Sequence, residues 1–185
     1  MRLFIAIELT SEVKRALGEL INLLKTKGEG VKWVSPENIH LTLKFLGETP
    51  PSRVQEITDS LKKSAKKFSS FSLLVKGTGC FPSEKKPPRV LWVGIEHNDY
   101  LNEFQKEIEM NLKEIGFPEE GRKFVPHLTL GRVKFPARLG SIKEELKKYE
   151  DKFFGKVKVK EVILFQSILK PEGAEYIPLA RINLR

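Results

Sequence analysis

The chain repeats itself in outline, and that repeat constrains its fold more than any other feature. Arg2 stands 38 residues before His40, and Arg89 stands 38 residues before His127. The segment Arg2-Leu3-Phe4-Ile5-Ala6 therefore superposes on Arg89-Val90-Leu91-Trp92-Val93 at an offset of 87. The same offset carries His40-Leu41-Thr42-Leu43 onto His127-Leu128-Thr129-Leu130. Self-similarity at a fixed period means that each copy is one supersecondary unit and that the two pack against each other.

Between these landmarks the pattern alternates strand and helix. Arg2 to Leu9 reads as a buried strand, and Thr10 or Ser11 then caps a helix with Val13, Leu17, Leu20, Ile21 and Leu24 on one face. Residues 39–46 read as a second strand. Thr49 to Ser52 open a helix carrying Val54, Ile57, Leu61 and Ala65, and Phe71 to Val75 begin a third strand, with a loop from Gly77 to Arg89. Val90 to Ile95, a helix capped by Asn98 or Asp99, and a strand over 124–133 restate the first half. Ser141 and Glu144 have the spacing of a capping box for a short helix. One long strand, with a bulge, is expected over 157–169, and a last strand over 176–184. The implied fold is α+β: two pseudo-symmetric β-α-β lobes with antiparallel-rich sheets facing a central cleft, in a single domain over residues 1–185.

In a strand, alternate residues share a face. His40 and Thr42 then project together, about 6.8 Å apart along the strand, while Leu41 and Leu43 bury on the opposite face. His127 and Thr129 do the same. Only three histidines occur in the chain, and two of them sit in these identical tetrapeptides. Two imidazoles around one cavity can hold one neutral base and one protonated acid near neutral pH, and hydroxyls can donate to phosphate oxygens. That set suits in-line displacement at phosphorus, although spacing alone leaves the two histidines interchangeable.

With 33 Lys and Arg against 24 Asp and Glu, the net charge of +9 favours a polyanionic partner, nucleic acid first. The many Lys and Glu, with one Cys and two Met, also suit a heat-adapted source. The single Cys80 allows no internal disulfide and no Cys-x-x-Cys zinc pattern. No apolar run approaches the roughly 18 residues of a membrane helix, and the N-terminus reads as a strand, not a signal peptide. The expected compartment is the cytoplasm.

The segments Arg2-Leu3-Phe4-Ile5-Ala6-Ile7, His40-Leu41-Thr42-Leu43-Lys44-Phe45-Leu46-Gly47 and Pro126-His127-Leu128-Thr129-Leu130-Gly131-Arg132 resemble the two-histidine (2H) phosphoesterase superfamily. Within it, the chain is similar to the RNA 2′,3′-cyclic phosphodiesterases, also called 2′-5′ RNA ligases. The resemblance implies metal-independent hydrolysis of RNA 2′,3′-cyclic phosphate ends to 2′-phosphomonoesters, without a cofactor. It implies His40 as proton donor, His127 as proton acceptor, Thr42 and Thr129 on the phosphate oxygens, and Arg132 as a further phosphate contact. The partner would be RNA with such ends, tRNA fragments among them, bound by a monomer.

Arg132 stands at odd spacing from His127, so it needs a bulge, which Gly131 permits, to turn toward the pocket. Phe45 has the wrong parity for the cleft and is expected in the core. Trp33 is a candidate for substrate contact by stacking on a nucleobase. The loop Phe81-Pro82-Ser83-Glu84-Lys85-Lys86-Pro87-Pro88-Arg89 either walls the cleft or is a solvated connector. His97 reads as a surface residue, Cys80 as a small buried hydrophobe, and Lys143 to Lys148 as a solvated helix face. Three other functions fit the residues less well: 2′-5′ ligation by the reverse reaction, a non-catalytic module gripping RNA ends, and a metal hydrolase with His40 and His127 as ligands.

Overall fold

The computed structural model describes residues 1–83 and 85–185, and Glu84 of the expected cleft loop lies outside the described residues. Chain order is β1 (Arg2–Ile7), α1 (Ser11–Lys25), β2 (Val31–Trp33), β3 (Leu41–Glu48), α2 (Val54–Ala65), β4 (Phe71–Phe81) and β5 (Val90–Ile95). It continues through α3 (Asp99–Glu114), β6 (His127–Val133), α4 (Ile142–Lys147), β7 (Phe153–Val159), β8 (Glu161–Lys170) and β9 (Gly173–Asn183). One sheet has the order β3-β1-β8-β9 and the other β2-β6-β5-β4-β7, with every described pairing antiparallel. The α+β architecture with two antiparallel sheets is the one the repeat implies. No helix among the described residues is long and apolar enough to cross a membrane.

Neither sheet is assembled from one half of the chain. β4, from the first half, pairs with β5, and β8 and β9, from the second, extend the sheet of β1 and β3. The single strand expected over 157–169 is accordingly two strands in different sheets. β7 pairs with β4 and β8 pairs with β1, with Lys160 between them, because each of those edges needs its own partner. β4 also runs on to Phe81 where a loop is expected from Gly77. The ladder shifts register between Val75 and Thr78, and Gly77 takes φ +82, so the strand continues past the glycine instead of ending there.

The helices follow their apolar spacing. The Thr10 hydroxyl accepts from the Val13 amide at 3.2 Å and starts α1, whose buried face is Val13, Leu17, Leu20, Ile21 and Leu24. The Asn98 side chain accepts from the Leu101 amide at 2.9 Å and starts α3. The capping box at Ser141 does not form. Its hydroxyl donates to the Lys27 carbonyl at 3.3 Å instead, tying α4 to the end of α1.

β1 is buried on both faces. Leu3, Ile5 and Ile7 join the main core with Leu41, Leu43, Leu91, Val93, Leu128 and Leu130. Phe4 and Ala6 point the other way, into a small second cluster with Ile163, Phe165 and Tyr176. That second face is where the first His-x-Thr lies.

Candidate functional site

His40 closes the turn before β3, and its Nδ1 lies 2.9 Å from the Asn38 carbonyl. His127 opens β6, and its Nδ1 lies 2.8 Å from the Val125 carbonyl. A carbonyl only accepts, so both rings carry their proton on Nδ1 and are held by the residue two positions back. Each Nε2 is thereby aimed away from its own backbone. No described residue bonds Nε2 of His127, whereas Nε2 of His40 lies 3.2 Å from the Glu8 carboxylate.

The surroundings of the two rings differ as well. His40 is 9% exposed and packs among Phe4, Phe165 and Tyr176, with ring centroids 6.4, 4.7 and 5.6 Å away. His127 meets the Phe81 ring edge-on at 4.9 Å, and Phe81 in turn lies 5.4 Å from Trp92. Thr42 pairs with Ala6 and Thr129 with Trp92, and both threonines are half-buried.

A register shift follows each histidine. Ile5 pairs with Lys44 but Ala6 with Thr42, so Leu43 is the extra residue in β3. Leu91 pairs with Gly131 but Trp92 with Thr129, so Leu130 is the extra residue in β6. Each bulge buries two successive residues, Leu43 with Lys44 and Leu130 with Gly131, and reverses the parity beyond them. Arg132 therefore emerges exposed on the face of His127 and Thr129. Phe45 does likewise on the face of His40 and Thr42. It is 72% exposed, beside Phe4 at 6.2 Å, and is not a core residue. Strict alternation from His40 misplaces it because the bulge adds one residue.

The two sheets approach each other at β3 and β6. Cα atoms of β3 and β6 come within 8 Å of each other. β2 pairs with β6, the Val34 amide donates to the Leu130 carbonyl at 2.8 Å, and only six residues then lead to His40. Burial pushes the Tyr176 hydroxyl above its ordinary value, while the Arg132 and Arg2 guanidinium groups pull it back. Arg132 on one sheet is thus close enough to act on the hydroxyl of Tyr176 on the other, and Tyr176 also packs against His40.

Trp33 pairs with Gly131 and is half-buried against the core, where its ring would lie 3.0 Å from a Cβ on Gly131. At the end of β4, Phe81 stands at His127, and in the loop that follows Lys85 and Lys86 are exposed. His97 is on the surface, 2.8 Å from Asp99, and Cys80 is buried. Among the described residues no three His, Cys, Asp or Glu side chains gather in a way that could hold a metal ion. Sequence reasoning missed Glu8 and Trp92 as members of this face and had no warrant for Tyr176. Glu8 was within reach, since it shares parity with Phe4 and Ala6.

The model of the LigT-like phosphoesterases matches residues 7–92 and again 93–176. The chain belongs to this family. It is similar to the RNA 2′,3′-cyclic phosphodiesterase of Thermotoga maritima, 47% identical over 73% of this chain and 71% of that one. It is also similar to that of Methanothermobacter thermautotrophicus, 32% identical over 100% of this chain and 99% of that one. In three dimensions it superposes on the crystal structure of TT0787 of Thermus thermophilus with a TM-score of 0.84 and 32% identity, covering 100% and 98% of the two chains. The fold is shared too with Escherichia coli LigT complexed with 3′-AMP, at a TM-score of 0.76 and 23% identity over 99% and 97%. Both His-x-Thr tetrapeptides stand intact within the matched spans.

Proposed function

We propose that this chain hydrolyses the 2′,3′-cyclic phosphate at the end of an RNA to a 2′-phosphomonoester, using its two histidines as acid and base. The observation that carries the reading is the matched pinning of His40 and His127, each with Nδ1 bound to the carbonyl two residues back, which aims both Nε2 atoms away from their own backbone. Membership of a family whose relatives bear the name RNA 2′,3′-cyclic phosphodiesterase supports it.

In this reaction a water attacks phosphorus in line with the bond to the 3′ oxygen. Nε2 of His127 takes a proton from that water as the new P–O bond forms. Nε2–H of His40 gives a proton to the departing 3′ oxygen as its bond to phosphorus breaks. Thr42 and Thr129 donate to the non-bridging oxygens, and Arg132 adds a positive charge beside them. Both electron pairs stay on oxygen, and no metal or cofactor enters the step.

RNA is the partner to which the net charge of +9 and the relatives' names point. The reading takes the chain as a monomer and a single domain grown from an internal repeat, working in the cytoplasm on broken RNA ends such as tRNA fragments.

The decisive experiment offers an oligonucleotide ending in a 2′,3′-cyclic phosphate, with EDTA present, and identifies the phosphomonoester isomer formed. A 2′-phosphate is expected, with His40→Ala and His127→Ala each at least about 100-fold slower. A 3′-phosphate product, or either variant at full rate, rejects the assignment.

A further inference from the structure

The two halves of the site are alike in how each histidine is held and unlike in what faces its Nε2. In the first sheet, Ile7 pairs with Leu41, the residue after His40. Glu8 therefore comes alongside His40, on the face shared by Phe4 and Ala6. In the second sheet, Val93 pairs with Leu128, the residue after His127, and Gly94 pairs with His127 itself. The two strand registers thus set a carboxylate against one imidazole and a glycine against the other, where the Phe81 ring is the neighbour instead. Space enforces the difference, since a Cβ on Gly94 would stand 2.8 Å from the Lys76 carbonyl and 3.3 Å from the Trp92 ring.

We propose that Glu8 is the positioning residue that makes His40 the acid of the pair, and that its absence at Gly94 leaves His127 the base. This rests on the acid–base reading given above. His40 has an acceptor at each ring nitrogen, the Asn38 carbonyl at Nδ1 and the Glu8 carboxylate at Nε2. Only the doubly protonated ring donates to both. His127 has an acceptor at Nδ1 alone, so its neutral form satisfies every bond it makes and presents a lone pair at Nε2.

Charged groups around His40 come from several elements. Lys14 of α1 pairs with the other Glu8 oxygen and also donates to the Glu37 carbonyl at 3.1 Å, which holds the carboxylate in place. The Glu37 carboxylate itself is turned to the Ser35 hydroxyl. Tyr176 of β9 touches the ring, with Arg2 and Arg132 acting on its hydroxyl. Phe4 and Phe165 carry no charge. Among the described residues Glu8 is the one anion in direct contact with the ring, so removing it leaves no opposite charge at Nε2.

During turnover the His40 Nε2–H gives up its bond to Glu8 and its proton passes to the 3′ oxygen, while the ring keeps its Nδ1–H. Glu8 remains a carboxylate throughout. Solvent then returns a proton to His40 and accepts the one that His127 took from water, which restores the starting state.

The test measures kcat/KM against pH for wild type and Glu8→Gln on the cyclic-phosphate oligonucleotide, together with a ¹⁵N NMR titration of the imidazoles in the wild-type protein. In Glu8→Gln the alkaline limb is expected about one pH unit lower, a roughly tenfold loss of activity above it, with the acidic limb unmoved. In wild type, His40 is expected to keep both N–H protons to higher pH than His127. An unshifted alkaline limb in folded Glu8→Gln overturns the proposal, and so does a wild-type titration in which His127 holds both protons longer. The NMR result needs no substitution, so it decides the matter even where Glu8→Gln fails to fold. Full activity in His40→Ala or His127→Ala instead sinks the acid–base reading, whatever Glu8 does.

Discussion

Phe45 and Arg132 occupy the same place in the two strands. Each lies five residues past its histidine, just beyond a bulge, and each emerges on the face of its His-x-Thr. One sheet thus offers a phenyl ring where the other offers a guanidinium. On the proposed reading, the apolar ring would suit a base and the cation a phosphate.

Truncating these two side chains should have different effects. Phe45→Ala is expected to raise KM for a cyclic-phosphate oligonucleotide by about 5- to 150-fold, since base stacking is worth about 1–3 kcal/mol. Its melting temperature should move by no more than about 2 °C, because the ring is already largely in solvent. Arg132→Ala should lower kcat/KM by about 10- to 150-fold, matching the roughly 1.5–3 kcal/mol of a hydrogen bond to a charged group. Steady-state kinetics and a thermal melt on both variants check this.

The bulge in β3 has a second consequence. It turns Lys44 inward, where Nζ donates to Glu109 at 2.7 Å and to the Pro118 carbonyl at 2.8 Å, with the two side chains 5% and 10% exposed. Glu109→Gln leaves that ammonium buried without a counter-charge and should cost about 3 kcal/mol, lowering the melting temperature by roughly 6–12 °C. Lys44→Met combined with Glu109→Leu should recover most of that loss, because two apolar groups need no charge partner. Calorimetry on the single and double variants distinguishes the outcomes.

Gly79 makes room for the Trp92 ring beside His127. A Cβ there would stand 2.3 Å from the Trp92 ring, which packs against Phe81 and through it against His127. Gly79→Ala should therefore destabilise by about 1–3 kcal/mol through overpacking and also reduce activity by shifting Phe81. Gly121→Ala, where nothing lies within 4 Å, should stay within about 0.5 kcal/mol of wild type. Denaturant titrations with parallel activity assays would show whether the two effects travel together.

Acid should weaken the fold at Glu8. Burial pushes its carboxyl up, but hydrogen bonds and charge from His40 and Lys14 outweigh that and hold it at about 2, below its ordinary value of 4.5. A carboxylate more acidic when folded stabilises the protein above its unfolded value and loses that contribution as pH falls through the folded one. Wild type should therefore lose stability between about pH 4.5 and pH 2, and Glu8→Gln should show a flatter dependence over that window. Equal slopes in urea titrations at several pH values would contradict this.

Local pattern determined a good deal by itself. The apolar faces of α1 and α3, their Thr10 and Asn98 caps, and the shared parity of each His with its Thr all depend on residues a few positions apart, so spacing reveals them. The requirement of a bulge for Arg132 was also legible, from Gly131. What spacing could not carry was anything decided by a distant partner. Phe45 left the core because β1 pairs with β3 across a shifted register. The segment after Val157 divided between two sheets because β4 and β1 each presented an open edge. Glu8 and Tyr176 reached His40 only once β1, β3, β8 and β9 stood side by side. A repeat specifies two similar halves, but hydrogen-bond register and steric room at Gly94 arise only when strands far apart in sequence come into contact, and those decided how the two histidines differ.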